Sequence, residues 1–363
     1  MNKTDTRLSL LREKMAEANA DLIALGPGPH MQWLLGYHPH ADERPCLLCV
    51  SQSGAAVLMP ALNADSAREH TSLQFFEWTD TDGPNKAFQQ MLNELSAANA
   101  NHIVLDETMR ADFAALVQDA VPKARRQFTA STIGALRMCK DEDEYQCLKT
   151  NALIADKAMQ TGWSVMKPGM TELEVADVIR SSFTEQGATP LFNIIGTGGN
   201  GAFPHHHTGD SVLCEGDAIV MDIGGGQGGY PSDITRMVAL GKPPEGYAEI
   251  HSIVEAAVQA AMQAAKPGVK AKDVDAAARG VITDAGYGEY FVHRTGHGLG
   301  VEIHEQPYLT SVSETVLQEG MVFSIEPGIY LQGRFGLRLE DIVILRADGP
   351  EILSELPRTL TVI

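Results

Sequence analysis

Apolar and polar positions alternate between two periods along the first third of the chain. Thr6 to Asn19 carries leucine and methionine at helical spacing, and Asp21 to Leu25 then reads as a strand closed by Gly26-Pro27-Gly28-Pro29. Pro45 to Val50 and Ala55 to Met59 form a predicted hairpin pair. Leu73 to Trp78 and Ile103 to Leu105 read as further strands, with a helical stretch from Asn85 to Ala98 between them. The pattern predicts a small α/β domain with a mixed sheet over residues 1–132.

Over residues 133–363 the helical periods lengthen and glycine punctuates the strands. Lys140 to Glu144 opens an amphipathic helix with acids in its first turn, as the helix dipole favours. A second helix starts at Thr171, with Glu174 three residues on as a capping box. A third covers Tyr247 to Ala265, and a fourth runs from Lys272-Asp273 to Asp284. Lys167-Pro168-Gly169-Met170 and Lys266-Pro267-Gly268-Val269 end corresponding helices, and each helix pair leads into a β segment bearing acids. The expected second domain is therefore α+β with a coarse internal duplication.

Composition narrows the picture. A length of 363 residues makes two domains the default. Lys+Arg 28 against Asp+Glu 47 gives a net charge of −19, which argues against nucleic acid or an anionic membrane as partner. No apolar run approaches the roughly 18 residues of a membrane span, and no signal-peptide core is present. Cys46 and Cys49 form a C-x-x-C inside an apolar strand pattern, where a redox pair belongs at a helix N-terminus. A reducing cytoplasm is the expected compartment. Residues 196–201 and 224–229 match G-x-G-x-x-G, but each leads to proline and not to a helix, so dinucleotide binding is not expected.

The chemistry concentrates in acids set where a core pattern calls for aliphatics. Asp222 interrupts the apolar strand 217–223, and Asp233 follows across a glycine-rich turn. Glu326 and Glu340 repeat that arrangement around a second one. Buried carboxylates brought together need a cation between them. Four ionised carboxylates balance two divalent cations, and His297, between the two acid pairs in Gly296-His297-Gly298, offers an imidazole ligand. His293 and His304 flank it, and a further cluster is His205-His206-His207.

Six segments together resemble the pita-bread metallopeptidases: methionine aminopeptidase, aminopeptidase P, Xaa-Pro dipeptidase (prolidase) and the metal-free creatinase. They are Met221-Asp222-Ile223-Gly224, Ser232-Asp233-Ile234-Thr235-Arg236, Gly296-His297-Gly298-Leu299-Gly300, Glu302-Ile303-His304-Glu305, Ile325-Glu326-Pro327-Gly328 and Arg338-Leu339-Glu340-Asp341. The resemblance covers the whole chain. It implies a pita-bread catalytic domain behind a creatinase/prolidase-type N-terminal domain. Position by position, it implies Asp222 as terminal ligand of one metal, Asp233 and Glu340 as bridging ligands, and His297 and Glu326 completing the other. It implies that His205 contacts substrate or shuttles a proton, that His304 stabilises an oxyanion and that His293 lines the substrate pocket. Arg338 is expected at the substrate site, with supporting roles for Arg338 and Thr235 transferred more weakly. His206 and His207 have no counterpart and read as solvated loop residues.

The implied reaction is hydrolysis of the Xaa-Pro bond of dipeptides or short peptides by a metal-bridging hydroxide, with Glu326 moving the proton. The ligand set admits manganese first, then cobalt, zinc or iron. Trp33 to His40 resembles an N-domain loop that reaches the partner's active site in a homodimer, where it is expected to restrict substrate length. Two alternatives stand beside this reading: another amide hydrolase of small nitrogenous metabolites, and a binding homologue without turnover.

Overall fold

In the computed structural model, which describes residues 3–363, the chain forms two units that change over between Arg137 and Met138. The first unit runs α1 (Lys3–Glu17), β1 (Leu22–Leu25), α2 (Pro29–Leu35), β2 (Leu47–Ser51), β3 (Ala55–Pro60), α3 (Ala61–Arg68), β4 (Gln74–Trp78), α4 (Asn85–Glu94), β5 (His102–Leu105), α5 (Ala111–Ala120) and β6 (Arg125–Phe128), with α6 (Ile133–Met138) at the changeover. Its six strands form one sheet in the order β4-β3-β2-β1-β5-β6. The pairs β1–β2 and β2–β3 are antiparallel and the other three parallel. The interior strands β1 and β2 are buried along their whole length, so their sequences are continuous apolar runs. Cys46 and Cys49 are buried there, and burial pushes the Cys46 thiol up to about 12.

Part of the segment read as a substrate-facing loop is helical. Pro29 sits at the first position of α2, where its missing N–H costs nothing. Trp33 and Leu34 are buried, and the Arg7 guanidinium lies 4.2 Å from the Trp33 ring centroid. The loop begins only at Gly36, in the left-handed conformation that ends the helix.

The second unit comprises α7 (Glu142–Val165), α8 (Glu172–Glu185), β7 (Thr189–Thr197), β8 (Ala218–Gln227), β9 (Tyr230–Pro231), β10 (Ile234–Ala239), α9 (Tyr247–Ala264), α10 (Ala271–Asp284), β11 (Gly296–Gly298), β12 (Glu305–Leu309), β13 (Val322–Ile325), β14 (Gly328–Leu331), β15 (Phe335–Arg338), β16 (Asp341–Arg346), β17 (Gly349–Ile352) and β18 (Thr361–Val362). Reciprocal capping boxes, Asp141 with Glu144 and Thr171 with Glu174, start α7 and α8. One sheet is ordered β18-β10-β8-β7 with β9 on β8; the other is β12-β11-β13-β16-β17, and β14–β15 is a separate hairpin. The expected α+β architecture is the one observed.

The duplication is real at the level of hydrogen bonds. Gly169 and Gly268 both take positive φ after their Lys-Pro, and their N–H groups donate to Leu213 O and Leu317 O at 2.9 and 2.8 Å. The bridges Thr171–Val212 and Lys270–Val316 follow at matching places. Gly216 N–H then donates to Leu240 O, and Gly320 N–H to Leu345 O. Each helix pair packs on its own sheet: Ala158 and Ile179 on Ile195, Ile219 and Val238, and Val254 and Ala278 on Phe323 and Val343. Asp222 lies four positions after Ala218, which opens β8, and Glu326 four positions after Val322, which opens β13. The two acids occupy equivalent places in two copies of one arrangement.

Candidate metal centre

Antiparallel pairing decides which acids meet. Asp222 on β8 pairs with Thr235 on β10, so Asp233, two residues before Thr235, is delivered beside it. Ile325 on β13 pairs with Asp341 on β16, which sets Glu326 and Glu340, the next residues beyond that pair, facing each other. Ligand atoms of Asp222, Asp233 and Glu340 lie within 4.8 Å of one another, and so do those of His297, Glu326 and Glu340. The two groups share Glu340. His297 Nε2 lies 3.3 Å from Glu326 Oε1 and 3.6 Å from Asp233 Oδ2.

Crowding these acids has an electrostatic cost. Burial, followed by the neighbouring charges of Glu340, Asp222 and Glu326, raises the Asp233 carboxyl well above its ordinary range. Glu340 is raised in the same direction, by burial and then by Glu326 and Asp222. Burial lifts Glu326 to about 7 against the opposing charge of Arg338. His297 is pushed down to about 3, chiefly by burial and then by His304, so its ring is neutral. Its Nδ1 lies 3.1 Å from Gly298 O, which makes Nδ1 the protonated nitrogen and leaves the Nε2 lone pair facing the acids.

Around the acids a hydrogen-bonded shell fixes their orientation. Arg338 donates through Nη2 to Asp222 Oδ2 at 2.6 Å, through Nε to Thr235 Oγ1 at 3.0 Å and through Nη1 to Tyr330 Oη at 2.8 Å. The Thr235 hydroxyl in turn donates a hydrogen bond to Glu340 Oε2 at 2.6 Å. His293 Nδ1 donates to Arg294 O at 2.7 Å, and Nε2 accepts from Tyr330 Oη at 2.7 Å. Both nitrogens of His293 are thus engaged, and burial pushes its pKa down to about 3.

The sequence-predicted residues Asp222, Asp233, His297, Glu326, Glu340, His205, His293, His304 and Arg338 all line one cleft of about 940 Å³. The His304 ring centroid is 4.0 Å from that of His297, and His205 and His304 are exposed to the cleft. His206 differs from the solvated side chain expected: it is partly buried, with Nε2 2.8 Å from Glu172 Oε2. Sequence reasoning missed Phe192, Ile194 and Ile303, which give the cleft apolar walls, and Arg294, whose guanidinium lies 4.5 Å from the Tyr308 ring centroid. Nothing in the linear pattern separates these from ordinary strand and loop residues.

The donor set suits hard or borderline divalent cations, because it is rich in carboxylate oxygen with a single imidazole. Asp222 Oδ1 is buried without a hydrogen-bond partner among the described residues, as a metal-ligating oxygen would be. Among the described residues a further group, Asp233 with His297 and His304, overlaps the same site, whereas a separate one, His30 with Asp106 and Glu107, has its atoms spent within the protein. Arg137 and Thr129 contact both nitrogens of His30, while Gly26 and Thr108 donate to Asp106.

Comparison with known proteins places this geometry in a family. Residues 7–139 match the Creatinase/Prolidase N-terminal domain. A probable dipeptidase PepE of Mycobacterium tuberculosis is 37% identical over 98% of this chain and 96% of its own length. An Xaa-Pro dipeptidase of Pyrococcus horikoshii is 31% identical over 99% of this chain and 100% of its own. Among solved structures, dipeptidase PepE from Mycobacterium ulcerans superposes with a TM-score of 0.94 at 35% identity, covering 99% of this chain and 98% of that one. A prolidase from Thermococcus sibiricus gives 0.92 at 33% identity, covering 100% of both. Residues 146–347, which hold all five candidate ligands, match Metallopeptidase family M24, and the chain belongs to that family.

Proposed function

We propose that this protein is a two-metal hydrolase that cleaves the Xaa-Pro bond of dipeptides. The observation that carries the reading is the pair of overlapping ligand groups sharing Glu340, set at the floor of a cleft large enough for a small peptide. Asp222 would hold one ion and His297 with Glu326 the other, with Asp233 and Glu340 available to both. Manganese is the first candidate, with cobalt, zinc and iron compatible with the same donors. The relatives named as Xaa-Pro dipeptidase and prolidase support the substrate class.

Two divalent cations bound here supply a polarised carbonyl and a water acidic enough to ionise near neutral pH. The protein's own groups do the rest. Glu326 takes the proton from the attacking water and returns it to the leaving nitrogen; its Oε1 is fixed by the Ser324 hydroxyl at 3.0 Å. His304 stabilises charge that develops on the carbonyl oxygen, and His205 at the cleft mouth contacts substrate or shuttles a proton. His293, held between Arg294 O and Tyr330, forms a fixed wall for the residue after the cut bond. Arg338 donates to Asp222, Thr235, Tyr330 and Pro204 O, and so serves the substrate by orienting Asp222. The imide nitrogen of an Xaa-Pro bond has no N–H, and recognition through apolar walls such as Phe192, Ile194 and Ile303 matches that chemistry.

The reading extends to a cytoplasmic homodimer in which the loop after α2 limits substrate length. Metal-loaded protein should hydrolyse Ala-Pro faster than Ala-Pro-Ala. Absence of turnover of both with Mn²⁺, Co²⁺ and Zn²⁺ refutes the peptidase assignment and leaves another amide as substrate or binding alone.

A further inference from the structure

Each helix pair of the second unit holds one carboxylate that is 0% exposed and that no ligand role explains. Glu172 opens α8 and is 0% exposed. Its Oε1 accepts from Thr197 N–H at 3.0 Å and from Asn200 Nδ2 at 2.9 Å. Its Oε2 accepts from Gly209 N–H at 3.0 Å and meets His206 Nε2 at 2.8 Å. Two partners on each oxygen, at the positive end of a helix, satisfy a charge that burial alone would disfavour. All four partners fall within residues 197–209, the segment that carries His205.

The other half has its own fully buried carboxylate, Asp275 of α10, one helical turn beyond Ala271, the position that matches Glu172. It accepts from the Thr295 N–H and hydroxyl at 3.1 and 2.8 Å and pairs with Arg279, which donates to Phe291 O and His293 O. Asp275 therefore secures the entry to β11, two residues before His297. That entry is also held by its sheet. The segment after Thr197 leaves the sheet and makes one short 3-10 turn before β8. Further side-chain ties are Thr208 to Asn193 O and Ile195 N–H, Thr197 Oγ1 to Asp217, Asn200 to Ser211, and Arg338 to Pro204 O. Glu172 is the centre of its attachment.

We propose that Glu172 is a positioning residue for His205, holding residues 197–209 so that the imidazole stands at the cleft mouth, with no part in holding metal. The inference rests on the reading that His205 acts on the substrate. In Glu172→Gln an amide NH₂ replaces one acceptor, so donor faces donor at Gly209 or at Thr197 and Asn200. With Ala-Pro as substrate, kcat should fall about 30-fold, on the scale of an ångström misplacement of a reacting group. KM should move by less than about threefold, and metal content should equal that of the wild type. In a His205→Ala background the same change should cost less than about twofold, because the residue being positioned is gone. Limited proteolysis should cut within residues 198–209 faster in the variant.

An equal cost in both backgrounds, or metal lost in parallel with activity, overturns the proposal and makes Glu172 a structural acid. Unchanged proteolysis of the segment overturns it whatever the activity. If Glu172→Gln does not fold, His206→Gln, which perturbs one tie of the four, takes its place in the same cycle and is read by the same criteria. The two readings fail separately. Wild-type protein inert toward all Xaa-Pro peptides, or His205→Ala at full activity, defeats the parent reading; an additive cycle in an active enzyme defeats only the role of Glu172.

Discussion

The two halves of the second unit share a scaffold and differ in what they place on it. The first, built on β7, β8 and β10, supplies Asp222 and Asp233. The second, built on β11, β13 and β16, supplies Glu326, Glu340 and the lone imidazole, His297. Thr197 pairs with Ile219 and Gly298 pairs with Phe323, so the place corresponding to His297 in the first half is Gly196. A side chain at Gly196 would meet Gly201 Cα at 3.0 Å, because the 3-10 turn leading to the His205 segment packs there. Scaffold symmetry thus fixes where acids can stand, and local packing decides which half carries the imidazole. Arg338 of the second half orients Asp222 of the first, and Thr235 of the first half orients Glu340 of the second.

Removing the proposed proton carrier should give the largest effect. Glu326→Gln should lower kcat/KM for Ala-Pro by about 10³-fold or more with an unchanged circular dichroism spectrum. Activity within about tenfold of wild type removes Glu326 from the mechanism. Next comes a direct contrast of the halves. Asp222→Asn and His297→Ala should each cost about 10²-fold or more in activity. Elemental analysis should show each retaining one of two metal equivalents; loss of both ions from either variant would mean that the halves do not hold separate ions.

Arg338→Met tests the tie between the halves. Metal affinity should weaken by about 10–100-fold, as for other supports of a ligand, and competition with a chelator measures it. Unaltered affinity together with a raised KM would return Arg338 to direct substrate binding.

The smallest effect concerns metal-free protein. Glu326 has its folded carboxyl raised from 4.5 to about 7, and Asp233 and Glu340 move the same way. The folded state then holds protons that the unfolded chain releases, so this contribution is complete below about pH 4.5 and is lost as pH rises through about 7. His293 and His297, held near 3, contribute in the opposite direction over the same window, so the comparison is with Glu326→Gln. The melting temperature of metal-free wild type should fall relative to that variant by roughly 3–5 °C from pH 4.5 to 7, and saturating Mn²⁺ should stabilise the wild type at pH 7. A difference that stays constant with pH would show that the acids do not crowd one another.

Much of this arrangement was legible in the sequence because it breaks local rules. Asp222 stands out for interrupting an aliphatic run, the acids of residues 141–144 announce α7, and the cap at Thr171 announces α8. Other parts obey no local rule. β6 reads Arg-Arg-Gln-Phe and is largely exposed, since an edge strand is paired on one side only, so no apolar alternation marks it. The β14–β15 hairpin between Glu326 and Glu340 looks like turn in the sequence because Pro327, Gly328, Gly333 and Gly336 dominate it. Glu172 looks like any acid at a helix start; that it is buried with four partners depends on a segment up to 37 positions away in sequence. Long-range partners of this kind leave no periodic trace.

The shared Thr235 hydroxyl has a consequence for how the protein comes into being. Its single proton goes to Glu340 and its lone pair to Arg338, residues made more than a hundred positions later on the ribosome. Until that last stretch emerges, Asp222 and Asp233 have neither the counter-ligands nor the clamp that shape them into a cation site. Metal capture, on the proposed reading, is therefore a post-translational event of the finished chain, and a nascent or truncated chain should leave the cell's metal pool untouched.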